Sequence, residues 1–448
     1  MAKDLTQGNI FKNLIIFSLP FLLSNFLQTL YGMADLFIAG QFNGSDIITA
    51  ISIGSQIMHM FTVIIVGLAM GATVLIGRAV GAKESKTIKN LISTTSIVFL
   101  VAALLFTAIL LLSCGTIVKL ISTPIESINQ TKSYLYICFA GIPFITAYNV
   151  IAAIYRGLGD SKSPMIYISI SCVINVILDY VFMGFFSMEA TGAAIATVLS
   201  QSISVFISLI GIRKLNKDNP KSEKSILFDK TLAKDILKIG FPVACQDGFI
   251  QISFLIITII ANKRGVNVAA AVGIVEKIIC FLFLVPSAML SAISALAAQN
   301  LGAKNIQRAQ KTLFYGILTS VSSGLIFAIF FQFFSEFVIG LFQKNPEVIK
   351  LGSQYMHSYV LDCVFAAIHF SFSGYFCACK KSLYAFIHNV ISIILIRIPG
   401  AYFASVLFPQ TLFPMGLAAT CGSLLSAFIC GFIYFVFIKK QNNLLLSE

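Results

Sequence analysis

Charge is scarce in this sequence. Only 11% of its 448 residues are Asp, Glu, Lys or Arg, against 58% apolar, and a soluble chain of this length would need two or three cores covered by charged surface. The shortage excludes a soluble globular protein and leaves a polytopic helical membrane protein. Histidine is scarcer still: His59, His357, His369 and His388 fall in or near apolar runs, with no metal-ligand spacing such as His-Glu-x-x-His. No phosphate loop, nucleophile elbow or acid-base pair occurs in a polar segment, which excludes ATP hydrolysis and soluble-type catalysis; the chain is not an enzyme. The ten cysteines are scattered mainly through apolar stretches, so buried free thiols are expected and a disulfide framework is not. Cys377-Ala378-Cys379 reads as packing, not as a metal clip. Tryptophan is absent altogether and Arg is sparse beside Lys and Ile, which points to a bacterial host with AT-rich DNA.

What the chain has instead is spanning-length apolar segments. They run at about 14–40, 47–77, 91–113, 131–155, 165–186 and 192–212, then at about 239–261, 268–298, 312–334, 351–379, 383–406 and 416–438. The first is too long for a secretory signal, carries Asp35 and lacks an Ala-x-Ala site, so it is a mature helix. Prolines 20, 143, 242, 286 and 399 fall within spans, where each removes a backbone donor and favours a bend. Gly67-Leu68-Ala69-Met70-Gly71 is a close-packing stripe in the second span. Asn129-Gln130-Thr131 fits a glycosylation sequon in an outer loop, although nothing else indicates a eukaryotic secretory host.

The twelve segments are two sets of six. Gly81-Ala82-Lys83 and Gly302-Ala303-Lys304 end equivalent apolar runs 221 residues apart, and Pro20 and Pro242 open equivalent spans 222 apart. Six spans per half make the repeats parallel, related by a pseudo-two-fold axis along the membrane normal. The expected fold is an all-α integral membrane protein of twelve transmembrane helices in two six-helix bundles. Its parts are an N-terminal lobe (1–212), a linker (213–238) and a C-terminal lobe (239–448). With the N-terminus inside, 23 basic residues lie on the inner side and six on the outer, so both termini and the linker are expected to be cytoplasmic. The net charge of +13 then serves topology and attraction to anionic membrane lipid, with no nucleic-acid partner.

Polar residues inside the spans carry the functional argument, because intramembrane charge is costly unless it faces an interior or a wet cavity. Asp35 lies about 9 Å from the outer end of its helix, and Asp179 and Thr197 about 8 Å below the same face. Asn175 is one turn from Asp179 on the same helical face. Together the four residues offer oxygen acceptors with up to two negative charges, a set that suits a hard cation or a proton shared between carboxylates. Apart from Na+ there, no metal site is expected.

Several motifs resemble the multidrug and toxic compound extrusion (MATE) family. They are Met33-Ala34-Asp35-Leu36-Phe37-Ile38-Ala39-Gly40, both Gly-Ala-Lys endings, Tyr155-Arg156-Gly157-Leu158-Gly159-Asp160-Ser161-Lys162-Ser163-Pro164, Asn175-Val176-Ile177-Leu178-Asp179 and Gly192-Ala193-Ala194-Ile195-Ala196-Thr197. The resemblance covers essentially the whole chain. It implies a monomeric bacterial cell-membrane antiporter that exports cationic amphipathic organic compounds by alternating access, driven by inward H+ or Na+ and needing no cofactor. It also places the family's coupling-ion site on Asp35, Asn175, Asp179 and Thr197. One branch of the family carries a second-lobe glutamate on its seventh helix where this chain has Ile250-Gln251, so the chain looks more like the DinF-type branch.

In the second half the 222 offset pairs Asp35 with Ile257, Asn175 with Arg397 and Asp179 with Ala401. Arg397 there disfavours a second cation site and can pair with Asp362 or Glu276. Lys277 is the other basic residue within a span. Asp247, Glu276 and Asp362, about 14 to 16 Å deep, are candidates for a substrate cleft, and Pro20 for a gating bend. Two other classes stand beside the antiporter. A flippase of a lipid-linked precursor would be expected to line its cavity with more basic residues than Lys277 and Arg397, and a channel or receptor would lack coupling.

Overall fold

In the computed structural model the described residues are 4–121, 123–217 and 228–438. They form sixteen α-helices and, among the described residues, no strand. The first half holds α1 (Ile10–Phe42), α2 (Ser45–Gly81), α3 (Ser85–Leu120), α4 (Ile128–Ala140), α5 (Ile142–Gly157), α6 (Lys162–Asp179) and α7 (Glu189–Lys217). The second holds α8 (Lys230–Asn262), α9 (Val266–Leu282), α10 (Leu284–Gly302), α11 (Ile306–Gly340), α12 (Pro346–Tyr359), α13 (Asp362–Ala378), α14 (Ser382–Ser392), α15 (Ile398–Leu407) and α16 (Phe413–Ile433). Ten helical runs are long and apolar enough to cross a membrane, and two bent pairs, counted as one span each, bring the number to twelve.

Those bent pairs correct two spans that the sequence presents as single helices. Residues 131–155 fall on α4 and α5, bent by 49°, and Pro143 stands at the start of α5. Without an N–H it cannot extend the preceding helix, so the chain restarts there. Residues 351–379 fall on α12 and α13, bent by 40° across Val360-Leu361 with no proline at the break. The sequon at Asn129 also moves: it opens α4 and is no loop, with the Thr131 hydroxyl donating to the Ser127 carbonyl (2.8 Å). All ten cysteines are free.

The repeated motifs prove to be turn chemistry. After α2, Lys83 takes φ 59°, its N–H donates to the Val80 carbonyl, and the Glu84 N–H donates back to Ala79 (both 3.0 Å). Lys304 (φ 58°) repeats this after α10, with the Asn305 N–H on Asn300. Gly159 and Lys380 do the same after α5 and α13, through Asp160 to Tyr155 and Lys381 to Phe376. Each is a Schellman ending, in which a left-handed residue satisfies the last helical carbonyls. Asp160 then starts the next helix: its carboxylate accepts from the N–H groups of Lys162 (2.9 Å) and Ser163 (3.0 Å).

Within each half the same helices approach closely. The Thr73 hydroxyl of α2 donates to the Ala153 carbonyl of α5 at 3.0 Å, and the Ser294 hydroxyl of α10 donates to the Gly374 carbonyl of α13 at 3.0 Å. A Cβ on Gly157 would meet the Thr73 carbonyl oxygen at 2.9 Å, and one on Gly374 the Leu290 carbonyl oxygen at 2.5 Å. Only glycine admits such backbone contact.

The chain divides into two compact units, and their membership crosses the repeat boundary. Leu19–Lys238 belongs to the first, while Asp4–Ser18 joins the residues from Ile239 onward in the second. In the second unit the Leu5 N–H donates to Gln299 Oε1 (3.0 Å), Arg308 donates to the Gln7 carbonyl (2.8 Å), and Leu5 and Leu14 are buried. In the first unit the Asp229 N–H donates to the Thr94 hydroxyl (3.2 Å) and Ile236 is buried. Each half thus lends the start of its first helix to the other unit. The N-terminal lobe expected at 1–212 therefore lacks its own first residues. Of the linker expected at 213–238, residues 218–227 lie outside the described residues, and α7 and α8 extend into its two ends.

Candidate functional site: two buried acids in the first unit

The first unit brings its sequence-predicted polar residues together. Asp35 (2% exposed) projects from α1, Asn175 and Asp179 (both 0%) from α6, and Thr197 (8%) from α7. With its amide nitrogen turned toward the acids, Asn175 donates to Asp35 Oδ1 at 3.0 Å and to Asp179 Oδ2 at 3.3 Å. The two carboxylates are close enough to interact directly. The rigid one-turn spacing of Asn175 and Asp179 on α6 fixes this geometry. Immediately after Asp179 the helix widens into a π-helical turn, Tyr180–Phe185, a distortion common beside functional side chains.

Asp35 and Thr197 open onto a cavity of ≈ 140 Å³, which Tyr31, Asn149, His59 and Gln201 also line. Asn175 and Asp179 stand behind Asp35. The Tyr31 hydroxyl, the Thr197 hydroxyl, Gln201 Oε1 and Asp179 Oδ1 are buried without a hydrogen-bond partner. A cluster of unpaired oxygens beside two acids, with neither Lys nor Arg among the described residues of the cavity wall, is a place for a cation or a proton. Tyr31, Asn149 and Gln201 escape the sequence reading because neutral polar residues in spans are common. Tyr31 lies one turn before Asp35 and Gln201 one turn after Thr197, and that spacing is the signal that could have found them.

The second unit treats its candidates differently. Asp362 is fully buried, with neither carboxylate oxygen hydrogen-bonded, and Glu276 accepts only from Thr258 (3.1 Å). Both lie in the field of the buried Arg397, but neither forms an ion pair with it among the described residues; the pairing expected of Arg397 is not made, and its guanidinium donates to the Tyr359 hydroxyl instead. Asp247 does not join them; its electrostatic neighbour is Cys377. The three acids proposed for one substrate cleft therefore do not form one cluster. Lys277 is exposed. His369 and His388, distant in sequence, meet with ring centroids 5.4 Å apart. No group of three or more His, Cys, Asp or Glu among the described residues could hold a metal ion. Pro20 sits inside a continuous α1, close to where that helix passes from one unit to the other, and Pro242 holds the same place in α8.

Twelve spans in two repeated halves, with a buried acid lining a cavity in one of them and a second behind it, define a polytopic membrane transporter. The family model MatE matches residues 20–181 and again residues 242–403, the same stretch twice at an offset of 222. The chain belongs to this MATE family, whose members are transporters and not enzymes. It is similar to the "Probable multidrug resistance protein YpnP" of Bacillus subtilis, with 28% identity over 454 residues covering 100% of this chain and 99% of the relative. It is also similar to the "Multidrug export protein MepA" of Staphylococcus haemolyticus, with 25% identity over 448 residues, 99% of this chain and 96% of the relative. Among solved structures, the outward-facing conformation of a multidrug resistance MATE family transporter of the MOP superfamily has the same fold. The TM-score is 0.90, at 19% identity and covering 100% and 99% of the two chains.

Proposed function

We propose that this transporter is an antiporter that exports cationic, amphipathic organic compounds in exchange for inward H+ or Na+, with Asp35, Asn175, Asp179 and Thr197 holding the coupling ion. One observation carries the reading: two buried carboxylates share a single amide, with neither Lys nor Arg among the described residues that line the cavity beside them. Both cannot stay ionised in such a site unless a cation joins them, so at least one takes up a proton or a metal ion.

Asn175 suits either ion. With nitrogen inward, as above, it tethers the acids when no metal ion lies between them. Rotated, it presents a third oxygen beside the carboxylates, with Thr197 near, the hard-oxygen surroundings that Na+ takes. Export follows if the ion binds one conformation more tightly than the other, because a ligand shifts an equilibrium only by its differential affinity. Pro20 supplies a bend at which α1, which carries Asp35, can respond. The relatives' multidrug names support organic compounds as the cargo, and the inner excess of basic residues supports cytoplasmic termini and drug entry from inside.

Dye efflux from proteoliposomes, with Na+ and H+ gradients imposed separately, tests the proposal and chooses the ion. Asp35→Asn and Asp179→Asn should each abolish gradient-driven efflux while leaving a correctly folded protein. Undiminished efflux in either variant overturns the assignment.

A further inference from the structure

The 222 offset that carries Asn175 onto Arg397 places a fixed positive charge at the repeat-equivalent of the first unit's shared amide. Arg397 closes a π-helical turn, Ile393–Arg397, whereas in the first unit the π-helical turn Tyr180–Phe185 begins only after Asp179, one turn beyond Asn175. Arg397 is 6% exposed; its Nη2 donates to the Tyr359 hydroxyl at 2.6 Å, and its guanidinium carbon lies 4.9 Å from the centroid of the Phe254 ring. Glu276 and Asp362 lie in its field although neither forms an ion pair with it among the described residues; Thr258 donates to Glu276, Ser423 stands beside Asp362, and three of the four carboxylate oxygens take no well-placed hydrogen bond. The nearby imidazoles are held otherwise, His388 between the hydroxyls of Ser373 (2.9 Å) and Ser426 (3.2 Å) and His369 against the His388 ring. Two acids thus face one cation that cannot lose its proton. Neither acid is hydrogen-bonded in a way that would replace it.

We propose that the Arg397 guanidinium is a tethered cation, standing permanently where the first unit takes up an exchangeable one, so that the second unit contributes no exchangeable ion to the transport cycle. The inference rests on the ion-coupled reading of the first unit, but it makes a separate claim about what the second unit can bind. Removing the guanidinium while keeping the acids leaves buried negative charge uncompensated, which a proton or a cation from solution must then neutralise.

The test uses binding, not transport. In full-length Asp35→Asn/Asp179→Asn protein, bound ²²Na+ and the infrared carbonyl band of protonated carboxyl groups are recorded with and without Arg397→Gln. Arg397→Gln should gain either about one Na+ per chain or one additional protonated carboxyl, and adding Asp362→Asn should remove the gain. Arg397→Lys, which keeps the charge, should show neither. A folded Arg397→Gln protein that gains neither overturns the proposal, as does an Asp362-dependent cation already bound while Arg397 is intact. Should Arg397→Gln fail to fold, the charge-free Arg397→Gln/Glu276→Gln/Asp362→Asn protein decides. Its recovery shows that the charge is what the site needs, and its failure shows that Arg397 serves packing, which refutes the idea. Wild-type efflux without any ion dependence would remove the antiport reading and leave these binding results standing.

Discussion

Asn175 carries no charge, yet with its amide nitrogen turned inward it donates to both buried acids of the first unit, Asp35 and Asp179. Asn175→Leu keeps its approximate size and removes both donors. Each lost hydrogen bond to a charged group costs about 1.5–3 kcal/mol, so the affinity for the coupling ion should change by roughly tenfold or more. Drug binding measured without an ion gradient should not change in proportion. A second expectation concerns a glycine. Gly374→Ala would place a Cβ 2.5 Å from the Leu290 carbonyl oxygen, a backbone atom that no rotamer change can move. It should lower thermal stability, by about 1–3 kcal/mol for an overpacked contact, whereas Gly248→Ala, which meets nothing within 4 Å, should be nearly neutral. The acids were legible in the sequence because charge in a span is rare and helix rise converts position to depth. Tyr31 and Gln201 were not, since nothing but their one-turn spacing sets them apart from other polar residues in spans. Counting from span ends puts Asp247, Glu276 and Asp362 at one depth, but Asp247 neighbours Cys377, at the opposite end of α13 from Asp362, so the count misplaces it.

At the scale of elements, three of the four Schellman turns put lysine in the left-handed region, where a side chain costs about 1–2 kcal/mol and glycine costs little. Gly159 shows that glycine serves equally well at this position. On the proposed orientation these turns face the cytoplasm, where basic charge fixes topology, which offers a reason to keep Lys83, Lys304 and Lys380 despite the strain. Lys83→Gly and Lys304→Gly should therefore each raise the melting temperature of the purified protein, while the pair combined should weaken correct insertion, read by accessibility of a terminal tag. The Gly-Ala-Lys repeat was plain in the sequence, but its meaning was not: the hydrogen bonds are made by backbone groups, which leave no residue signature beyond the preceding glycine. The bent spans were hidden for a related reason. Hydropathy sees apolar length, and both halves of a broken helix are apolar.

Across the whole molecule, the duplication visible in Pro20 and Pro242 extends to an exchange that the sequence did not disclose. Asp4–Ser18 and the start of α8 each pack with the unit to which the rest of their own half does not belong. Such an exchange resembles domain swapping between copies. Coexpressed fragments 1–217 and 228–448 should consequently co-purify as a stable pair, while either fragment alone should be unstable; stable isolated halves would contradict the exchange. Replacing buried Leu5 with Asp should weaken the second unit in particular, as hydrogen exchange in α10 and α11 would show. Because Leu5 meets Gln299 across 294 residues of chain, the ribosome makes the first segment long before its docking site exists. At ordinary synthesis rates the wait is roughly 15 to 60 s. Throughout it Leu5 and Leu14 have no native surface to cover them, so a segment made well ahead of its docking site settles only after the second half exists.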